Sequence, residues 1–121
     1  MAFELFTKYG KGNRPSCSIR ASGQIGFNQG AVRVYGLRDG YAELYYDREM
    51  QRIGVKFFAF GGPSTCRFRV TERNAFISGR SFLHYYGIDY RGKSRKYAVE
   101  SEAGLLVIDL KRPLLEATDE G

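Results

Sequence analysis

Apolar and polar residues alternate along several short stretches of the chain, a pattern typical of β-strands with one buried face. In residues 17–22, Cys17, Ile19 and Ala21 share the predicted inner face, and the residues between them are polar. The alternation returns at residues 66–71, where arginines occupy the polar face. Apolar stretches over 41–60 and 95–110 predict two hairpins, with turns at 48–51 and 102–104.

Two short helices are predicted between these strands. Asn28 is a favoured N-cap residue, and Gly36 stands where a left-handed glycine commonly ends a helix, so the first helix runs to Tyr35. In the second helix we expect Ser78 to form the cap and Gly87 to mark the end. Neither helix exceeds about two and a half turns, so packing against the strands must stabilise both.

The same elements recur about 50 residues further along the chain. The segment 15–20 begins Pro-Ser-Cys and returns at 63–69, which begins Pro-Ser-Thr-Cys. The Val-Tyr-Gly-Leu of 34–37 returns as Tyr-Tyr-Gly-Ile at 85–88. Two copies are too few for a solenoid, so we expect them to complete each other within one domain.

The predicted organisation has four parts. An N-terminal extension covers residues 1–14, with an extra strand over 1–9, and an acidic tail covers 113–121. The two repeats between them cover 15–60 and 63–112. The matching cysteines, Cys17 and Cys66, are expected to be reduced and buried on the apolar faces of their strands.

Charge gives the first indication of a partner. The chain has 121 residues with a net charge of +6, and 13 of its 19 basic residues are arginine. Residues 1–112 carry 19 basic against 10 acidic residues, a balance of +9. Arginine makes planar, bidentate contacts to phosphate and guanine, so this excess favours a nucleic-acid partner. A basic surface without any partner is the alternative.

The sequence does not indicate an enzyme. His84 is the only histidine, and nothing orients it toward Cys17 or Cys66. The cysteines lack metal-ligand spacing, and no glycine-rich segment matches a phosphate-binding or dinucleotide-binding loop. We therefore predict no catalytic residue, metal or cofactor. No apolar run suits a membrane span and no signal peptide is recognisable, so a cytoplasmic location is expected.

The order of motifs resembles the AbrB/MazE swapped-hairpin family. A strand leads into Ser-Gly-Gln-Ile at 22–25, a short helix follows and ends in Tyr-Gly-Leu at 35–37, and Asp-Gly at 39–40 precedes a hairpin. The resemblance covers residues 16–58 and, more weakly, 65–110, in the tandem arrangement of MraZ-type proteins. It implies a mostly β fold with two short helices, a tandem swapped-hairpin, AbrB-like, pseudo-two-fold β-barrel.

The resemblance also implies which residues contact DNA, because members of that family use the first strand, the turn after it and the helix. These positions are Arg20, Gln24 and Arg33 in the first repeat, and Arg69, Arg73, Arg80 and His84 in the second. Alternation alone places Arg20, Arg67 and Arg69 on polar strand faces. The run 90–97 adds Arg91, Lys93, Arg95 and Lys96 between Tyr90 and Tyr97, a further predicted contact segment.

The predicted function is non-enzymatic binding of double-stranded DNA, by a regulator or antitoxin-like protein. Arginines on pseudo-symmetric strands would contact the duplex, from a monomeric pseudo-dimer or a homodimer. One alternative is a protein-interaction module, either an inhibitor or an assembly subunit, with tyrosine and arginine as anchors. A less favoured alternative is a single-stranded nucleic-acid binder whose tyrosines stack on bases.

Overall fold

A computed structural model describes residues 14–72, 74–92 and 94–114, and within them the chain forms a mostly β fold with two short helices, as predicted. The expected strand over 1–9 and the end of the acidic tail lie outside the described residues. The elements in chain order are β1 (Ser16–Ile19), β2 (Gln24–Phe27), α1 (Gln29–Tyr35), β3 (Gly40–Asp47), β4 (Arg52–Phe58), β5 (Cys66–Val70), β6 (Ala75–Ser78), α2 (Arg80–Tyr85), β7 (Arg95–Ala98), β8 (Glu100–Glu102) and β9 (Leu105–Asp109).

The nine described strands form one antiparallel sheet in the order β7-β1-β2-β6-β5-β3-β4-β9-β8. The sheet curls until its two ends approach each other. Pro113, which follows β9, bridges to Tyr97 of β7, and the Leu114 amide donates to the Lys96 carbonyl at 2.8 Å. The result is a nearly closed, barrel-like sheet. Neither helix in the described ranges is long and apolar enough to cross a bilayer.

The strand pairings cross between the two repeats. β3 of the first repeat lies beside β5 of the second, and β7 of the second lies beside β1 of the first. Two further pairs, β2 with β6 and β4 with β9, also join the repeats. The single sheet therefore contains four pairings that join a strand from residues 15–60 to a strand from residues 63–112.

The first helix begins and ends as predicted. The Asn28 side-chain oxygen accepts from the Ala31 amide at 2.9 Å, which is the hydrogen bond expected of an N-cap. Gly36 adopts a left-handed conformation with φ of 61°, and the Leu37 amide then donates to the Val32 carbonyl. Both ends satisfy backbone groups that the helix itself leaves unpaired.

The second helix begins differently. The expected Ser78 cap is wrong, because Ser78 still belongs to β6 and pairs with Gln24, and the N-cap residue is Gly79 without a side-chain hydrogen bond. The predicted end is confirmed. Gly87 has φ of 65°, and the amide after it donates to the Leu83 carbonyl at 2.9 Å.

The second hairpin also departs from the prediction. A single strand was expected over 95–100, but the chain forms β7 and β8 with Val99 between them. The two halves have different neighbours, since β7 pairs with β1 and β8 pairs with β9. Val99 is buried at this corner, so the strand bends where it passes from one neighbour to the other.

Aromatic rings and branched aliphatic side chains fill the interior. Phe68 is fully buried and contacts Phe27 and Phe57, with ring centroids 6.1 and 4.7 Å away. The other fully buried large side chains include Ile25, Ile53, Ile77, Leu83, Ile108, Val55 and Cys17. Except for Leu83, which lies in α2, these residues belong to strands, and strand alternation therefore directs their neighbours outward.

The pairing register corrects the sequence alignment of the repeats. Ser18 pairs with Gly26 in the first repeat, Arg69 pairs with Phe76 in the second, and Gly26 and Phe76 pair with each other. The turns fix the equivalence, because the Arg20 amide donates to the Gln24 carbonyl in the first and the Thr71 amide to the Asn74 carbonyl in the second. Counted back from these turns, Arg69 is the equivalent of Ser18, and Phe68 that of Cys17. The expectation that the two cysteines occupy equivalent buried positions is wrong, because Cys66 is only half-buried.

Candidate nucleic-acid interface

The outward surface of β7, β1, β2, β6 and β5 forms a continuous face, named here the central face. The inward neighbours of its residues, such as Ile25, Phe68 and Ile77, are fully buried in the core. Strand alternation therefore directs the intervening side chains outward. The central face comprises Ser18, Arg20, Gln24, Gly26, Arg67, Arg69, Phe76, Ser78 and Lys96.

Two hollows lie side by side on the central face. The serine hollow has a volume of about 240 Å³ and the arginine hollow about 360 Å³. Gln24 and Phe76 line both, so these two side chains separate the hollows. The serine hollow is lined by Ser16, Ser18, Arg20, Gln24, Gly26, Phe27, Asn28, Asn74, Ala75, Phe76 and Lys96, and the arginine hollow by Ser22, Gln24, Arg67, Arg69, Phe76 and Ser78.

The charges on the central face all have one sign. Arg20 and Lys96 line the serine hollow, and Arg67 and Arg69 line the arginine hollow. No carboxylate from the described part of the chain lines either hollow or forms an ion pair with these four cations. Unpaired cations gathered on one face create a positive potential that attracts a polyanion.

One of these cations is oriented by an aromatic neighbour. The Arg67 guanidinium carbon lies 5.4 Å from the centroid of the Tyr41 ring, and Arg67 Nη1 donates to the Tyr41 hydroxyl at 3.4 Å. The two residues face each other across the β5–β3 pair. This contact orients the Arg67 guanidinium and leaves its other N–H groups for a ligand.

The amide side chains around the serine hollow differ in their availability. Asn28 is occupied, because its oxygen accepts from two backbone amides and its nitrogen donates to the Arg14 carbonyl. Asn74 accepts a hydrogen bond from the Thr71 hydroxyl. Among the described residues only the backbone amide of Gln24 makes a side-chain hydrogen bond, to the Ser22 hydroxyl, so the donor and the acceptor of its carboxamide can both meet a base edge.

The structure gathers five of the predicted site residues on the central face: Arg20, Gln24, Arg67, Arg69 and Lys96. Four others do not line either hollow. Arg33 is exposed in the last turn of α1, Arg91 lies in the loop after α2, and Arg95 is exposed on β7. The backbone of Arg80 begins α2 beside the Gly23 turn. Arg73 and Lys93 lie outside the described residues.

Arg20 and Arg69 share the face but are not equivalent residues of the two repeats. The Arg20 amide donates to the Gln24 carbonyl in the first turn, and the Thr71 amide donates to the Asn74 carbonyl in the second. Thr71 therefore occupies the position of Arg20. The expectation of two symmetry-related arginines at these positions is wrong, because the second repeat carries its arginines nearer the centre of the strand.

The basic run 90–97 is not an aromatic surface loop. Tyr90 is 7% exposed and Tyr97 5% exposed, so both rings belong to the core. Burial raises the pKa of the Tyr97 hydroxyl above its usual value, a change that nearby Arg95 opposes. Of the run's described basic residues, Arg91, Arg95 and Lys96, only Lys96 lines the central face.

His84 is held by its neighbours rather than by a cysteine. Its Nε2 lies 2.7 Å from the Tyr90 hydroxyl and 2.9 Å from Arg91 Nη2. A guanidinium can only donate, so Nε2 acts as the acceptor in this arrangement. Cys17 is buried in the core, and that burial raises the pKa of its thiol. The described residues contain no group of three His, Cys, Asp or Glu side chains that could hold a metal ion.

Gly26 and Phe76, the pair at the centre of the face, are not among the site residues predicted from the sequence. Alternation within residues 75–78 places Phe76 outward, which is an unusual position for a large apolar side chain on a strand. This outward aromatic residue was the one feature of the sequence that could have indicated a binding surface on this strand. Its partner across the sheet is 50 residues earlier in the chain, and no local pattern reveals it.

No protein-family model, curated protein or solved structure matches this chain. The chemistry of the central face therefore has to support the functional assignment.

Proposed function

We propose that the protein binds double-stranded DNA without catalysis, and that the central face is the contact surface. The observation that supports this most strongly is the gathering of Arg20, Arg67, Arg69 and Lys96 on one face with no described carboxylate among them. Phosphate contacts from such cations position a protein on a duplex, and base contacts add specificity. Gln24, between the two hollows, is the proposed base-reading side chain.

The topology supports a regulator or antitoxin-like role. Crossed pairings between the repeats agree with the tandem swapped-hairpin arrangement that the sequence resembles, and we propose that the chain is a pseudo-dimer of this kind. In a pseudo-dimer the strands β2 and β6 lie on either side of the pseudo-axis. The duplex would then be met by related strands from the two repeats.

Salt dependence of duplex binding tests the proposal quantitatively. If each of the four cations neutralises one phosphate, log K falls with log salt at a slope of about −3.6. Affinity for a random labelled duplex should then drop about 150-fold between roughly 50 and 200 mM salt. Changing Arg67 and Arg69 to alanine should reduce the slope to about −1.8 and the drop to about 12-fold. Fluorescence anisotropy provides the measurement.

A control with the same loss of charge is available away from the central face. Arg38 and Arg112 are both exposed and line neither hollow, so the Arg38→Ala/Arg112→Ala protein keeps all four cations of the face. Its slope should match that of the unmodified protein. Equal slopes for the two double variants would contradict the assignment to the central face, and no duplex binding at low salt would overturn DNA binding itself.

One observation favours a protein partner as the second candidate. Tyr46, Phe82, Tyr85 and Tyr86 form an aromatic cluster with ring centroids 4.8–6.3 Å apart, and the Arg48 guanidinium lies over Tyr86. Tyr85 is 76% exposed. Tyrosine and arginine are common anchors of protein interfaces. Binding through this cluster would respond weakly to salt, which separates it from the proposed DNA contact.

A further inference from the structure

The two repeats differ sharply at the centre of the central face. Where the second repeat carries Arg69 and Phe76, the first carries Ser18 and Gly26 at the equivalent positions. Gly26 and Phe76 also lie opposite each other across the β2–β6 pair, on either side of the pseudo-axis. The serine hollow therefore occupies the place where a symmetric copy of the Phe76 ring would lie.

Nothing in the packing requires glycine at position 26. A Cβ added there would meet only the Ala75 carbonyl oxygen, at an ordinary contact distance of 3.5 Å. Gly26 also has no left-handed backbone, unlike Gly23 with φ of 92°. A glycine within a strand weakens it, and one use of such a glycine is to admit a ligand close to the backbone. A side chain could therefore be accommodated at position 26, but the glycine leaves the serine hollow unfilled there.

The groups around the serine hollow suit one nucleotide. Phe76 provides an aromatic wall, and the Gln24 carboxamide lies at the boundary where a base edge would be read. Arg20 and Lys96 line the same hollow and supply charges for the phosphates on either side of that base. Aromatic stacking combined with flanking cations is the usual way in which proteins hold an unpaired base.

We infer that the serine hollow is a binding site for one unpaired nucleobase, which stacks on Phe76 above Gly26. This inference rests on the proposed DNA-binding function and adds a preference to it. Duplexes containing an extrahelical base bind more tightly than fully paired ones, because the base enters the hollow while the cations hold the backbone. A paired base cannot enter, since it remains stacked within the duplex.

The test compares three labelled duplexes at one salt concentration: a fully paired duplex, the same duplex with one bulged adenine, and the same duplex with an abasic bulge. The unmodified protein should bind the adenine bulge about tenfold more tightly than the paired duplex, which corresponds to stacking of a single base. The abasic bulge should bind like the paired duplex. It controls for the flexibility that any bulge gives to DNA.

Two variants test the hollow in different ways. Phe76→Ala removes the stacking surface, and Gly26→Val fills the space where the base would lie without removing charge. Within each of these two variants the adenine bulge and the paired duplex should bind with equal affinity, whereas Phe76→Tyr should retain the tenfold preference. Phe60→Ala, at an aromatic residue that is 84% exposed and lines neither hollow, is the matched control and should behave like the unmodified protein.

The outcomes separate this inference from the proposed function. Binding to all three duplexes with equal affinity overturns the base site and leaves DNA binding intact. Equal gains from the adenine and abasic bulges also overturn it, because flexibility alone would then explain the preference. A gain that survives both Phe76→Ala and Gly26→Val would place the base elsewhere and overturn it too. Failure to bind any of the duplexes overturns the proposed function as well.

Discussion

Substituting Asn28 should destabilise the whole domain more than an ordinary helix cap would. The Asn28 side-chain oxygen accepts from the Ala31 amide at 2.9 Å and from the Ser16 amide at 3.0 Å, and its nitrogen donates to the Arg14 carbonyl at 2.6 Å. The side chain thus connects the start of α1 to β1. Alanine at this position removes all three hydrogen bonds.

The expected cost follows from these contacts. Loss of an N-cap costs about 1 kcal/mol. The amides of Ser16 and Ala31 belong to buried residues, and a buried donor without a partner costs about 1–3 kcal/mol. Together these effects give a loss of about 2–4 kcal/mol for Asn28→Ala, measured by urea unfolding monitored by circular dichroism. Asn28→Asp keeps the cap acceptor but loses the donor to the Arg14 carbonyl, so it should be less destabilising than Asn28→Ala.

Ser78→Ala is the matched control, because Ser78 precedes the other helix without capping it. Its free energy of unfolding should lie within about 0.5 kcal/mol of the unmodified protein. The reasoning would be refuted if Asn28→Ala and Ser78→Ala had equal effects, or if Asn28→Asp were as destabilising as Asn28→Ala.

Three further predictions concern the core. Phe68→Ala should lower the free energy of unfolding by about 3–5 kcal/mol in a urea titration, because the ring is fully buried against two other phenylalanines; a loss below about 1 kcal/mol would contradict this packing. Gly79→Ala should cost about 1–3 kcal/mol by the same assay, since its Cβ would lie 2.4 Å from the buried Ile25 Cδ1; an unchanged midpoint would argue against the contact. Burial raises the pKa of both the Cys17 thiol and the Tyr97 hydroxyl, so the folded state holds protons that the unfolded state releases in alkali. The thiol's contribution to stability should therefore be constant below about pH 8.5 and that of the hydroxyl below about pH 10, and above these values each should fall by up to about 1.4 kcal/mol per pH unit. Cys17→Ser should remove the thiol's share of that alkaline slope, and an unchanged slope would contradict it.

Local patterns predicted the elements of this fold well. The alternation of apolar and polar residues predicted the strands. The positions of Asn28 and Gly36 predicted the first helix and both of its ends. These features depend on neighbouring residues, which is why they can be read from the sequence. The prediction that Ser78 caps the second helix is wrong for a physical reason. Serine is a common N-cap residue, but Ser78 pairs with Gln24 and therefore belongs to the sheet.

Long-range register was the main feature that the sequence did not reveal. The Pro-Ser-Cys similarity suggested that Cys17 and Cys66 are equivalent, whereas the pairings make Phe68 the equivalent of Cys17. The central face depends on the same information, because Gly26 and Phe76 meet only through the β2–β6 pairing. Alternation identified Arg67 and Arg69 as outward-facing, but it did not indicate which other residues join them.

Backbone amide NMR during a titration with duplex DNA tests the central claim most directly. The proposed function predicts that the largest chemical-shift changes fall on the central face, at Ser18, Gly26, Arg69 and Phe76, and that they diminish as salt is added. Changes concentrated instead on the aromatic cluster around Tyr85 and Tyr86, with the central face unaffected, would contradict the account.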